Sequence, residues 1–210
     1  VSLFVDAAPR RPGKPATRRR IAQAAAELFA SRGYAATSLQ AVADAAGVHV
    51  QSIFMTYGTK IAVLEAAVRA VVAGDDDFEG FGRDWPWAKE LLAEPDPERQ
   101  LRLFAHHIRN LAPRAGPLTA EMRSAARADA GVEAFLTDVL TSSFRGPSGI
   151  CTRLAATGAL RAGLSPERAA DMLQAVASYE MHDVLVHRQG WSPDEYEAWV
   201  GDLMCTLVLE

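Results

Sequence analysis

The chain has 210 residues, 49% hydrophobic and 23% charged, with a formal net charge of −4. That balance argues against a disordered protein, and no run approaches the roughly 18 apolar residues a membrane-spanning helix needs. The apolar Val1–Val5 stretch is too short for a secretory core and precedes Arg10 and Arg11 instead of following them, so a cytoplasmic protein is expected, with no membrane partner.

The charge is unevenly distributed. Residues 1–73 carry nine basic and four acidic side chains, +5, while the remainder stands at −9. A basic first third on an acidic body suggests that one end alone meets a polyanion. Cys151 and Cys205 form no metal-binding or redox spacing and read as reduced core residues.

A tail, residues 1–16, with Arg10, Arg11 and Lys14, leads to the first periodic segment. The arginines of Thr17–Arg20 extend its basic character, as an arm for a minor groove or as a solvated tail. Ile21, Ala24, Ala25, Leu28 and Phe29 form one apolar stripe, with Thr17 as a possible cap and Gly33 past the end. Ser38–Ala46 predicts a second helix with Leu39, Val42, Ala43 and Ala46 inward, and Val50–Tyr57 a third, ended by Gly58. Thr59 opens a fourth, which fades at Gly74. The glycine- and acid-rich Gly74–Gly82 reads as a domain boundary. Further helices are predicted at Trp85–Ala93, Pro97–Leu111, Leu118–Ala128, Val132–Phe144, Ser148–Ala159, Ser165–Arg188 and Ser192–Leu209. The last two open with Ser-Pro followed by acid, a strong helix start. No segment alternates as a strand would, so the fold class is all-α.

Leu39–Gly58 (LQAVADAAGVHVQSIFMTYG) carries a specific constellation. Two helices crossing steeply need a small residue at their approach, which Ala43 supplies. They need a turn residue tolerant of positive φ, Gly47, and apolar inner faces, Val42, Ala46, Val48 and Ile53. This spacing fits a helix-turn-helix whose second helix enters the major groove.

With these residues in view, residues 17–72 resemble the N-terminal domain of the TetR family of transcriptional regulators. The resemblance is carried by TRRRIAQAAAELFASRGYAATSLQAVADAAGV and by YGTK followed by a helix. The last two predicted helices are similar to those of many members. The resemblance implies a three-helix DNA-binding domain, residues 17–73, joined by its fourth helix to a larger helical domain, residues 74–210, for ligand binding and dimerisation. It further implies a regulator, repressing by default, released from a palindromic operator by a small molecule. The rival reading is a dimeric DNA-binding protein without a ligand.

On that resemblance the third helix is the recognition helix, presenting His49, Val50, Gln51, Ser52, Met55 and Thr56. Gln51 suits adenine, Ser52 a base or phosphate, and Met55 or Val50 a thymine methyl. Thr59 and Lys60, following Tyr57, would hold a backbone phosphate, as would Thr37 and Ser38 at helix two. The sequence departs from the family's usual pattern at His49, Gln51, Phe54 and Ile61. The lost tyrosine hydroxyl at Phe54 and the missing acid at Ile61 leave an apolar reading surface that favours methyl and shape readout.

The final two helices offer Met172, Val176, Tyr179, Val184, Tyr196, Trp199, Val200, Leu203 and Leu207 either to a four-helix interface with a second copy or to an intrachain core. Dimerisation is the favoured reading, because one half-site seldom suffices for specific binding. In the middle helices Trp87, Phe104, His107, Asn110, Met122, Arg123 and Phe135 are candidate walls and anchors of a ligand cavity. An enzyme is the reading from another class. Asp183 and His187, at i and i+4, could share a metal, but no third ligand or catalytic motif accompanies them. The expectation is a non-enzyme with no metal and no cofactor.

Overall fold

The computed structural model describes residues 15–73, 86–143 and 145–210. The linker reading of Gly74–Gly82, the helix start at Trp85, the helix end at Phe144 and the basic Arg10, Arg11 and Lys14 lie outside the described residues. The helices are α1 (Pro15–Arg32), α2 (Leu39–Ala46), α3 (Val50–Thr56), α4 (Lys60–Ala73), α5 (Pro86–Ala93) and α6 (Pro97–Ala126). They are followed by α7 (Ala130–Ser143), α8 (Arg145–Ala156), α9 (Pro166–Val176), α10 (Tyr179–His182), a π-helical turn (Asp183–Arg188) and α11 (Pro193–Val208). Among the described residues there is no strand, only an isolated antiparallel bridge between Leu160 and Leu209. The protein is all-α.

Two compact units divide the chain. The first holds α1–α4 together with Pro117–Val139, a segment the sequence assigns to the second domain. Its core explains the addition. Ile21, Ala25 and Phe29 of α1 pack with Val42, Ala43, Ala46, Ile53, Val63, Leu64 and Ala67, and Leu118, Met122, Val132, Phe135 and Leu136 join the same cluster. Phe29 and Leu64 are wholly buried, each stabilising the unit by about 2 kcal/mol or more.

The second unit holds α5, α6 up to Gly116, and the chain from Leu140 onward. Leu101, Phe104, Ala105 and Ile108 of α6 pack with Ile150, Cys151 and Leu154 of α8, Leu173 of α9, and Tyr196, Val200, Met204 and Val208 of α11. Ser192 starts α11 with a full capping box, its hydroxyl accepting from the Glu195 amide (3.2 Å) and the Glu195 carboxylate accepting from the Ser192 amide (2.7 Å).

Three differences from the sequence expectation are the largest. Helix α1 begins at Pro15, so Thr17 lies inside it instead of capping it, and Arg18, Arg19 and Arg20 belong to its first turns, not to an extended arm. The predicted break between Leu111 and Leu118 is absent, and α6 runs unbroken through Pro113 and Pro117. The two prolines, four residues apart, share the exposed face, where water can bond the carbonyls they leave without an amide, while Leu111, Ala112, Ala115 and Leu118 are buried. Conversely, the predicted helix Ser165–Arg188 is broken. Ser178 adopts extended backbone (φ −67°, ψ 145°) and its hydroxyl caps the Met181 amide, restarting the helix without any glycine or proline signal.

Candidate nucleic-acid interface

The geometry of α3 is set by the turn before it. Ser38 caps α2, its hydroxyl accepting from the Ala41 amide at 3.1 Å. At the other end Gly47 takes φ 62° and ψ 44°, and the Gly47 and Val48 amides close on the Asp44 and Ala43 carbonyls. That left-handed conformation is open to glycine at no steric cost. Val48 and Val50 pack against the core and Ile53 is fully buried, which fixes the rotation of α3. His49, Gln51, Phe54 and Met55 then face solvent, with Phe54 50% and Met55 65% exposed.

The expected contact residues therefore separate. His49, Gln51, Met55, Ser38 and Thr59 are exposed, while Ser52, Thr56, Tyr57 and Lys60 are half-buried. Thr56 spends its hydroxyl on the Ser52 carbonyl (2.7 Å), and Thr59 accepts from the Ala62 amide (3.1 Å), capping α4. Tyr57 turns inward and donates to the Arg18 carbonyl at 3.1 Å, and burial pushes its hydroxyl up despite Arg18 and Arg69. Thr37 is a correction. It is 1% exposed, and its hydroxyl sits against the Gly33 (2.8 Å) and Leu28 (3.2 Å) carbonyls, tying the end of α1 to the start of α2. A proton held there leaves nothing for a phosphate. Val50, packed against the core, is likewise less available to a base than Met55.

Lys60 does not extend freely. Its ammonium lies 4.3 Å over the Tyr34 ring and donates to the Ala35 carbonyl at 3.4 Å. Burial lowers its pKa, opposed by the Asp129 carboxylate, and the Tyr34 hydroxyl is pushed up to about 12 by burial and by Asp129. Phe54, which the sequence counts toward the apolar surface of this helix without giving it a contact of its own, is exposed beside Met55. The signal was present in the helical phase: with Ile53 inward, the two positions after it turn outward.

The residues expected to line a ligand cavity do not all fall in one unit. Trp87 and His107 stack with ring centroids 3.6 Å apart in the second unit, whose core also holds Phe104. Burial, then Arg114 and His106, depress His107 to about 4. Met122 and Phe135 instead belong to the core of the first unit, built with the helix-turn-helix. Arg123 is exposed on that unit, and exposed Asn110 places its amide nitrogen 2.9 Å from His106, whose other ring nitrogen faces the Glu197 carboxylate.

The expected dimer residues also divide. Tyr196 and Val200 are fully buried within their own chain and Val176 nearly so, with Tyr196 edge-on to His182 at 4.8 Å. The apolar face of α11 is wider than one contact needs, and one half fills the chain's own core. Val184 (39%) and Trp199 (36%) are exposed, Trp199 standing edge-on to Trp191 at 5.6 Å. Met172, Tyr179, Leu203 and Leu207 are half-buried. Among the described residues no three metal-ligating side chains gather, and Asp183 pairs with Arg188 at 2.9 Å. Both cysteines are free. No described helix is long and apolar enough to cross a membrane.

Residues 21–67 match the family described as bacterial regulatory proteins, tetR family. No curated protein matches the sequence. Among solved structures the chain is similar to one from Rhodococcus sp. assigned to the TetR-family transcriptional regulators, with 17% identity over 92% of this chain and 99% of that one and a TM-score of 0.73. It is similar to a chain from Saccharomonospora viridis assigned as a transcriptional regulator and solved with choline, at 19% identity, coverages of 94% and 100%, and a TM-score of 0.71. NalD of Pseudomonas aeruginosa, the secondary repressor of the MexAB-OprM multidrug efflux pump, matches at 22% identity, coverages of 92% and 97%, and a TM-score of 0.63.

Proposed function

We propose, since its N-terminal domain is that of the tetR family of bacterial regulatory proteins, that the chain is a dimeric DNA-binding transcriptional regulator, a repressor released from its operator by a small molecule. The observation that carries the reading is α3 itself. A short helix anchored by buried Ile53 presents His49, Gln51, Phe54 and Met55 to solvent immediately after a glycine turn. Gln51 suits an adenine edge and Met55 a thymine methyl. The arginines at the start of α1 point the same way. Arg18, Arg19 and Arg20 lie in the first two turns of α1, a cluster of positive charge near the start of the helix that suits a phosphate backbone.

Release by a small molecule rests on the similar structures. One regulator of this fold was solved with choline and another, FadR of Bacillus subtilis, with stearoyl-CoA. In this chain Trp87, His107 and Phe104 are the candidates for its ligand end. Val184, Trp199, Leu203 and Leu207, with Met172 and Tyr179, are the candidates for the face that pairs with a second copy. No enzymatic role is proposed.

The test is selection of bound fragments from random duplex DNA with the purified chain. A palindromic sequence should be enriched, and sedimentation should give a dimer at micromolar concentration. Failure to enrich any duplex would sink the reading, and a monomer would remove the paired half-sites.

A further inference from the structure

Resting on the regulator reading for the role of the small molecule, we propose that His182 and Tyr196, in the core of the second unit, bind the hydroxyl head of a neutral, largely apolar alcohol. The two rings come from α10 and α11 and meet edge-on with centroids 4.8 Å apart. His182 is 2% exposed and Tyr196 wholly buried, yet neither the His182 Nε2 nor the Tyr196 hydroxyl has a hydrogen-bond partner. Buried polar atoms are nearly always paired, because giving up water without a replacement bond is costly. The backbone is also irregular on both sides of His182. Ser178 breaks the helix before it, and Asp183–Arg188 after it wind as a π-helix, a turn that recurs at functional sites. The exposed His187 ring stands edge-on to that of His182 at 5.6 Å, so this turn carries a line of rings from solvent to the pair.

The chemistry of the pair selects the ligand. Burial pushes the Tyr196 hydroxyl up to about 12, so it keeps its proton and donates. Burial, then His187, lowers His182 against the opposing pull of Asp183, so its ring is neutral and Nε2 donates or accepts according to tautomer. A hydroxyl answers both, accepting from the tyrosine and either donating to or accepting from the histidine. Its apolar tail suits the cluster that holds Tyr196, to which Leu173, Val176 and Val200 belong. A charged head finds no counter-ion there. Among the described residues the buried polar side chains are Thr37, Gln100, Thr119 and His182, none of them a fixed charge.

The experiment titrates the full chain, without DNA, by calorimetry with 1-hexanol, hexanoate and hexylammonium, which share a tail and differ in the head. 1-Hexanol should bind saturably at one site per chain, and the two charged probes about tenfold more weakly or worse. Tyr196→Phe and His182→Leu should each weaken 1-hexanol about three- to tenfold, with circular dichroism showing the helices intact. Tyr196→Phe, which removes a hydroxyl that has no protein partner, should leave the unliganded chain's thermal midpoint unchanged or raise it. No saturable binding of 1-hexanol, equal affinity for the three heads, undiminished binding in both variants, or a lowered midpoint in Tyr196→Phe overturns the proposal. Failure of the unliganded chain to bind any duplex counts against the regulator reading alone, because the titration contains no DNA.

Discussion

Thr37 shows how a side chain of the right type at the right place can serve another purpose. Its hydroxyl is fully used between the Leu28 and Gly33 carbonyls, so Thr37→Val should cost about 1–2 kcal/mol in denaturant unfolding while the folded protein keeps the salt dependence of its DNA affinity. A flatter slope would return Thr37 to the phosphate contacts. His107 makes a prediction in pH. Its folded pKa, near 4, lies below the ordinary 6.5 because burial and then Arg114 and His106 penalise the charged form. The unfolded chain therefore binds the extra proton first. Stability is full above pH 6.5 and declines as pH falls toward 4, by up to about 3 kcal/mol from this residue. Burial lowers His182 in the same sense. His107→Phe, which retains a ring against Trp87, should flatten the acid limb of a stability–pH curve; an unaltered limb would rule out His107 as its source. The residue types at both positions were legible in the sequence. Their partners were not, because a hydroxyl's choice between protein carbonyl and solvent depends on which backbone groups the fold leaves near it.

At the level of the helix, α3 was readable because its constraints are local: a glycine that must be left-handed, an inward isoleucine, a hydroxyl cap on α2. Phe54 and Met55 are exposed apolar side chains whose removal should hardly touch stability. Phe54→Ala with Met55→Ala should shift the unfolding midpoint little but weaken binding to the selected duplex at least tenfold, measured by fluorescence anisotropy. Unimpaired binding would move the reading surface elsewhere on the helix. Longer helices were read less well. Prolines usually end a helix, yet α6 passes through two, because that rule assumes the lost amide bond lies where nothing replaces it. The break at Ser178 runs the other way. No local breaker precedes it, and packing combined with a serine cap overrides an apolar pattern that would continue.

For the whole molecule, composition and periodicity sufficed for an all-helical chain, and the structure bears that out in its helices; the basic first third supports the DNA-binding end proposed above. The division into units was beyond reach, since it depends on which distant helices share a core. Buried apolar residues of α11 and of α6–α7 look alike in sequence whether they face their own unit, a second copy or a ligand. That is why Tyr196, Val200, Met122 and Phe135 were read as interface or pocket and are packed in cores. The core of the first unit draws Leu118, Met122, Val132, Phe135 and Leu136 from a segment some 50 residues beyond α4. Consequently the helix-turn-helix end is not a detachable cassette. A fragment stopped after α4 would expose that apolar wall and should melt without cooperativity. A chimera with another chain of this fold should transplant residues 15–73 and 117–139 together, because a graft that crosses over only after α4 would join two halves of different jigsaws.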